Sequence, residues 1–223
     1  MIRYFGQAQY SPKRMLLGYE LFLREYVGGQ WRFPKNLRQY HAQEITSLAE
    51  QTIATLEPAA RVVSINLDQD QFVDANFIEA FIKIAHTFPE RYVVVELTEY
   101  DCHVAREDLR LATIRYSQGG VYVCLDDVGS GENDEAMATL LDDYVSEYKF
   151  ALQNFREEDG TVNQLLSQLA AWGRRAKQND KGFVVEGIEN ERNLLIVDQY
   201  TPDLIQGYLF AKPILLPLKH DVF

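Results

Sequence analysis

Asp126 and Asp127 stand side by side at the end of an apolar run, Val121-Tyr122-Val123-Cys124-Leu125, and Val128 and the turn Gly129-Ser130-Gly131 follow them. The run reads as a short strand buried on both faces, as in a parallel sheet. Adjacent carboxylates at a strand end repel each other, and a divalent cation relieves that repulsion because hard cations take oxygen ligands. A solvated turn is the plain alternative, since Asp and Gly are common turn residues. Other stretches end in the same way. Glu20 lies late in a strand-like segment, Asn66 closes Val62–Leu67, and Glu96 closes Tyr92–Leu97 with Glu99 just beyond. Lys149 sits near the end of Ser146–Phe150, Glu186 ends Phe183–Glu186, and Gln206 ends Leu204-Ile205-Gln206. An oxygen-rich set with one ammonium suits Mg²⁺ or Mn²⁺, and it lacks the His and Cys ligands of a zinc site.

These residues need a scaffold that brings strand ends together, and the rest of the chain supplies one. Ile2–Tyr10 and Arg14–Arg24 are strand-like and flank Ser11-Pro12-Lys13, so they form an antiparallel hairpin. Ile45, Leu48, Ala49, Thr52, Ile53 and Leu56 recur at helical spacing before Pro58, which closes the helix. Asp74 is placed to cap a helix with Phe77, Ile78, Phe81, Ala85 and Phe88 on its buried face. Further helix faces are Ala105, Leu109, Ala112 and Tyr116; Ala136–Leu141; Val162, Leu165, Leu166, Leu169, Trp172 and Gly173; and one capped by Asn190. Strands alternating with helices indicate a parallel α/β fold, most simply a barrel, in which the C-terminal strand ends share one face. The expected architecture is a modified (β/α)8 TIM barrel with an antiparallel first strand, and residues 1–223 read as a single domain.

Composition narrows the function. The chain has 223 residues, 47% hydrophobic and 12% aromatic, with a formal net charge of −11. Such acidity argues against DNA or a membrane surface as partner, and an anionic substrate would need local cations. Cys102 and Cys124 lack pairing or metal-ligand spacing and read as reduced thiols, which suits the cytoplasm. The start of the chain shows no signal-peptide or membrane-spanning pattern. His41, His86, His103 and His220 fall outside every motif and receive no role.

The segment Gly18-Tyr19-Glu20-Leu21-Phe22-Leu23-Arg24 resembles the signature of EAL-domain proteins, the cyclic di-GMP phosphodiesterases, with Glu20-Leu21-Phe22 in place of the namesake Glu-Ala-Leu. The resemblance runs in order through Ser64-Ile65-Asn66-Leu67, Glu96-Leu97-Thr98-Glu99, Leu125-Asp126-Asp127-Val128-Gly129, Lys149, Glu186-Gly187-Ile188-Glu189 and Gln206-Gly207-Tyr208-Leu209-Phe210, with Pro213 soon after. It implies a barrel whose first strand is antiparallel, two Mg²⁺ or Mn²⁺ ions, and hydrolysis of cyclic di-GMP to linear pGpG. It assigns Glu20, Asn66, Glu96, Asp126, Asp127 and Glu186 to metal binding, with Asp126 bridging. It gives Lys149 the role of orienting or deprotonating the attacking water, with Gln206 helping to hold it. Arg24 becomes a phosphate contact, together with Glu20 and Gln206 on the substrate side; Glu186 joins Lys149 and Gln206 in catalysis; and Glu99 and Glu189 position loops. Ca²⁺, with its looser coordination, is expected to inhibit. The resemblance also admits a homodimer or a protein partner.

Simpler readings stand beside these. Arg24 could be exposed at the hairpin end, Lys149 could snorkel from the sheet edge, and Tyr19, Tyr208 and Phe210 are expected to pack in the barrel. The family usually writes Asp-Asp-Phe-Gly-Thr-Gly-Tyr-Ser-Ser, where this chain has Asp126-Asp127-Val128-Gly129-Ser130-Gly131-Glu132-Asn133-Asp134. It also places an Asp two residues after the lysine, where Ala151 stands here. Glu132 and Asp134 are expected to turn away from the pocket. A catalytically weak or silent module that binds the nucleotide or a protein is the alternative function.

Overall fold

The computed structural model describes residues 1–36, 39–154, 161–219 and 221. Two long antiparallel strands begin it, β1 (Ile2–Tyr10) and β2 (Leu16–Val27). Ser11 N donates to Met15 O at 2.9 Å across the turn. A short β3 (Gln30–Arg32) folds back on β2 through Gly28-Gly29, both at positive φ, 62° and 82°. Three residues carry too little pattern to be expected as a strand, so β3 was not foreseen, although Gly-Gly is a favoured two-residue hairpin loop. Alternation follows: α1 (Ala42–Ile53), β4 (Val62–Leu67), α2 (Gln69–Phe72), α3 (Ala75–Thr87), β5 (Tyr92–Leu97), α4 (Arg106–Gln118), β6 (Tyr122–Leu125), α5 (Glu135–Leu141), β7 (Glu147–Ala151), α6 (Thr161–Gln178), β8 (Gly182–Glu186), α7 (Glu191–Val197) and β9 (Leu204–Ile205). A two-residue β10 (Ile214–Leu215), also not foreseen, pairs with Phe5 and Gly6 on the edge of β1 opposite β2, the edge that β9 joins at Tyr10.

The ring runs β1-β2-β4-β5-β6-β7-β8-β9 and closes on β1, which is antiparallel to both β2 and β9; from β2 to β9 the neighbours are parallel. This is the expected barrel with an antiparallel first strand. Gly18 belongs to its closure. A Cβ there would lie 1.8 Å from Val62 O, so only glycine lets β2 lie against β4 at that register.

Outward-facing strand residues meet the helices. Val63, Ile65, Val93, Val95, Val123, Leu125, Phe150 and Val185 are buried there, and Tyr148 packs on Trp172 of α6 with ring centroids 5.6 Å apart. Asp74 caps α3 by accepting from Asn76 N at 2.7 Å, and Asn190 caps α7 by accepting from Asn193 N at 2.9 Å, both as expected. Helix α1 ends at Ile53 rather than at Pro58, and Leu56 reaches the core from the turn that follows. The side chain of Val162 and His220 lie outside the described residues.

Candidate active site

Each strand alternates its side chains between the helices and the barrel interior. Period two therefore sends Gln7 (β1), Glu20 (β2), Asn66 (β4), Glu96 (β5) and Lys149 (β7) inward at one level, with Asp126, Glu186 and Gln206 at or just past the ends of β6, β8 and β9. Lys149 is the hub. It is 1% exposed, and its Nζ donates to Glu96, approaches Asp126 Oδ1 at 3.3 Å and Glu20 Oε1 at 3.4 Å, and lies 3.9 Å from Glu186 Oε2. The snorkelling lysine considered from sequence is thereby excluded. Amides orient the acids from behind. Asn66 Nδ2 donates to Glu20 Oε1 at 2.6 Å, and Gln206 Nε2 donates to Glu20 Oε2 at 2.5 Å and to Gln7 Oε1 at 3.2 Å. Gln153 Nε2, from the 3₁₀ turn Leu152–Asn154, donates to Glu186 Oε1.

Four carboxylates around one ammonium leave excess negative charge, and the protonation equilibria register it. Burial, then the charge of Glu20, pushes Glu96 well above the usual carboxylate range. Burial also raises Asp126 to about 7 and Glu186 to about 8, with neighbouring carboxylates adding to the shift. Burial opposes the ionisation of Glu20 as well, but Lys149, Asn66 and Gln206 outweigh it and hold Glu20 below its usual value. Lys149 is held well above its ordinary range: burial opposes its charge, and Asp126, Glu20, Glu96 and Glu186 overcome that.

The acids lie on the floor of a cleft of about 1000 Å³, which all the predicted residues line except Glu96 and Lys149, buried beneath it. Arg24 is half-buried on the wall, its guanidinium 3.2 Å from the centre of the Phe33 ring. Glu99 faces the cleft through a carboxyl that burial, and then Asp127, pushes upward, while its backbone carbonyl accepts from Glu132 N at 2.9 Å. Glu189 is also on the wall. Tyr19 and Phe210 pack partly against the core as expected, but Tyr208 is 57% exposed at the cleft mouth, in the turn that follows β9. Sequence reading missed Gln7, Asp68 and Gln153. Gln7 could have been found from the inward period of β1, and Asp68 from its place two residues after Asn66. Nothing in the sequence signals Gln153.

The donor set fits hard divalent cations. It consists of carboxylate and amide oxygens, and Glu96 Oε1 and Asp127 Oδ1 are buried without a hydrogen-bond partner. Among the described residues, however, no three His, Cys, Asp or Glu converge as a ready cation cage, because the acids gather on Lys149.

A family model described as the EAL domain matches residues 35–213. The chain belongs to the EAL-domain family. The match begins beyond β2, so the strand bearing Glu20-Leu21-Phe22 lies outside it, yet the structure brings Glu20 to the centre of the site. No curated protein sequence matches the chain. Among solved structures it is similar to the PaMucR phosphodiesterase in complex with c-di-GMP, at 18% identity and a TM-score of 0.75, covering 96% of this chain and 97% of that one. It is similar also to the EAL domain of Mycobacterium smegmatis DcpA, at 24% identity and a TM-score of 0.77, over 96% and 94% of the two chains. A third is the Bacillus subtilis YkuI protein, with an EAL domain, in complex with c-di-GMP and calcium, at 18% identity and a TM-score of 0.76. There 99% of this chain spans 58% of the other. At these identities the likeness is one of fold.

Proposed function

We propose that this chain, working in the cytoplasm as one domain over residues 1–223, is a cation-dependent phosphodiesterase that opens cyclic di-GMP to linear pGpG. The observation that carries the proposal is the convergence of Glu20, Asn66, Glu96, Asp126 and Glu186, from five parallel strands, around the buried Lys149 beneath an open cleft. Family membership and two structural neighbours in complex with c-di-GMP support the ligand.

Two Mg²⁺ or Mn²⁺ ions held by Glu20, Asn66, Glu96, Asp126, Asp127 and Glu186 would supply positive charge to the attacking and leaving oxygens and lower the pKa of water. The protein's part is positional. Asn66 and Gln206 fix both oxygens of Glu20, and Gln153 fixes Glu186. Lys149, held as an ammonium by its four carboxylates, orients the water and donates to the oxygen that develops charge; cations sharing those carboxylates would lower its proton affinity towards that of a base. Gln206 Oε1 is buried without a partner and is free to accept a hydrogen bond from the attacking water. Arg24, stacked on Phe33, presents its guanidinium to a phosphate from the wall. Glu99 and Glu189 hold the loops they border.

The test is direct. Purified protein with Mg²⁺ or Mn²⁺ is incubated with cyclic di-GMP, and pGpG is followed by chromatography. A folded, cation-loaded chain that yields no pGpG would sink the proposal. One observation favours a second reading, a module that binds the nucleotide or a protein without turnover: the carboxylates close on Lys149 instead of on a common cation position. Tight cyclic di-GMP binding with no product would select it.

A further inference from the structure

Asn133 stands in the segment that departs most from the family's usual wording, and its side chain is fully buried. Its Nδ2 donates to two backbone carbonyls at once, Leu97 O at 2.7 Å and Asp126 O at 2.6 Å. Leu97 follows Glu96 at the end of β5, and Asp126 follows β6, so one amide spans the ends of two strands that deliver carboxylates to the site. The backbone repeats the connection: Asp126 N donates to Leu97 O at 3.1 Å, and Gly129 N donates to Asn133 O at 2.9 Å. Outside, Arg106 at the start of α4 reaches Glu132 Oε2 at 3.3 Å and Asp134 Oδ2 at 3.1 Å, so the two added acids are bound within the chain. Asp127 sits at φ 47°, in the left-handed region that Asp tolerates better than most residues.

We propose that Asn133 is a positioning residue for the cation site: its amide straps β5 to β6 and fixes the direction in which Asp126 and Asp127 present their carboxylates, and Arg106 secures the loop that carries it. Both carbonyls are buried at strand ends, where an amide with two N–H groups can satisfy them together. The inference rests on the cation-dependent reading above. It differs from a merely structural role in one measurable respect, the cation affinity of the chain once folded.

The experiment is a Mn²⁺ titration without nucleotide, following free Mn²⁺ by its paramagnetic resonance signal, at a temperature where circular dichroism shows each variant folded. Asn133→Asp keeps the shape and loses both donors, and Asn133→Ala loses the side chain; both are expected to raise the apparent Kd about tenfold or more. Arg106→Met, a change on the half-exposed outer face, is expected to raise it about threefold. Ile78→Val, a core change on α3, is the control and keeps the parent's value while lowering the melting temperature. A folded Asn133→Asp that binds Mn²⁺ as the parent does overturns the proposal. Should the Asn133 variants fail to fold, Arg106→Met decides: an unchanged Kd overturns it and a weakened one supports it. A parent chain that takes up no Mn²⁺ is a distinct failure, since it removes the cation site and the proposed function with it.

Discussion

At the scale of single residues, Lys149 and Glu20 depend on each other through a buried network of uneven charge. Removing one partner of a buried ion pair strands the other, at a cost of about 3–5 kcal/mol. Lys149→Met takes away the ammonium that lies within reach of four carboxylates. Without added cation it is expected to melt well below the parent, and Mn²⁺ should restore part of the loss; differential scanning calorimetry with and without Mn²⁺ checks this. Glu20→Ala removes the acid that Asn66, Gln206 and Lys149 all address. Turnover is expected to fall on the order of a thousandfold, about 4 kcal/mol of transition-state stabilisation, measured as pGpG released by a folded variant. Of the residues that touch Lys149, Glu96, Asp126 and Glu186 were legible in sequence because each stands at the end of an apolar strand, whereas Glu20 lies inside β2 and stood out through its Glu20-Leu21-Phe22 setting. Gln153 was not legible, because a glutamine on a one-turn helix carries no pattern, and its partner is 33 residues away.

At the scale of elements, helices capped by Asp74 and Asn190 and strands with uniform apolar runs were predictable from local chemistry. The short β3 and β10 escaped because they hold two or three residues and owe their existence to an edge already present. Strand β7 carries a pH dependence of its own. Glu147 begins it and faces the interior two residues before Lys149, and burial raises its carboxyl to about 7. The folded chain thus holds that proton more tightly than the unfolded chain does. The corresponding stability is complete below the ordinary glutamate range of about 4.5 and is lost as pH rises to about 7. Glu147→Gln, which carries no charge at any pH, is expected to be near neutral at pH 4.5 and stabilising by about 1–3 kcal/mol at pH 8, as urea denaturation at the two pH values would show. The loop between β6 and α5 follows the same local logic. Asp134 caps α5 by accepting from Met137 N at 2.7 Å, and neither it nor Glu132 lines the cleft. Glu132→Ser with Asp134→Ser should therefore change cyclic di-GMP affinity by less than about tenfold, 1.4 kcal/mol, in titrations at low and high salt. The outward direction of that loop was expected from sequence; its anchorage to Arg106 was not, because the two lie 26 and 28 residues apart.

At the scale of the whole molecule, the site is where the parallel strands of the barrel end together, so anything bound there steadies the entire ring. Mn²⁺ at about a hundred times its Kd would add about 2.7 kcal/mol, a rise of roughly 5–10 °C in melting temperature for a chain of this size. Ca²⁺ should give a comparable rise while failing to support turnover, because its coordination is longer and looser. Scanning calorimetry with Mg²⁺, Mn²⁺, Ca²⁺ and a chelator, beside pGpG assays, checks both parts. The barrel and its antiparallel first strand were legible because a tight turn between two strands permits no other direction. How Phe33 and Tyr208 shape the cleft mouth was not, since neither belongs to a regular element.

The antiparallel first strand also sets the order of events in time. The β1–β2 hairpin is local and can form as soon as Val27 is made, so Gln7 and Glu20 face each other early. The partner they share, Gln206, is 199 residues beyond Gln7 and 186 beyond Glu20. Contacts so distant along a chain form slowly, because the entropy of closing the intervening loop comes first. Until β9 arrives, one edge of β1 stays open and Glu20 lacks one of the two amides that orient it. The full set of partners around Glu20 is therefore expected to assemble last, and in a refolding experiment the release of pGpG proposed above should appear only with the slowest phase.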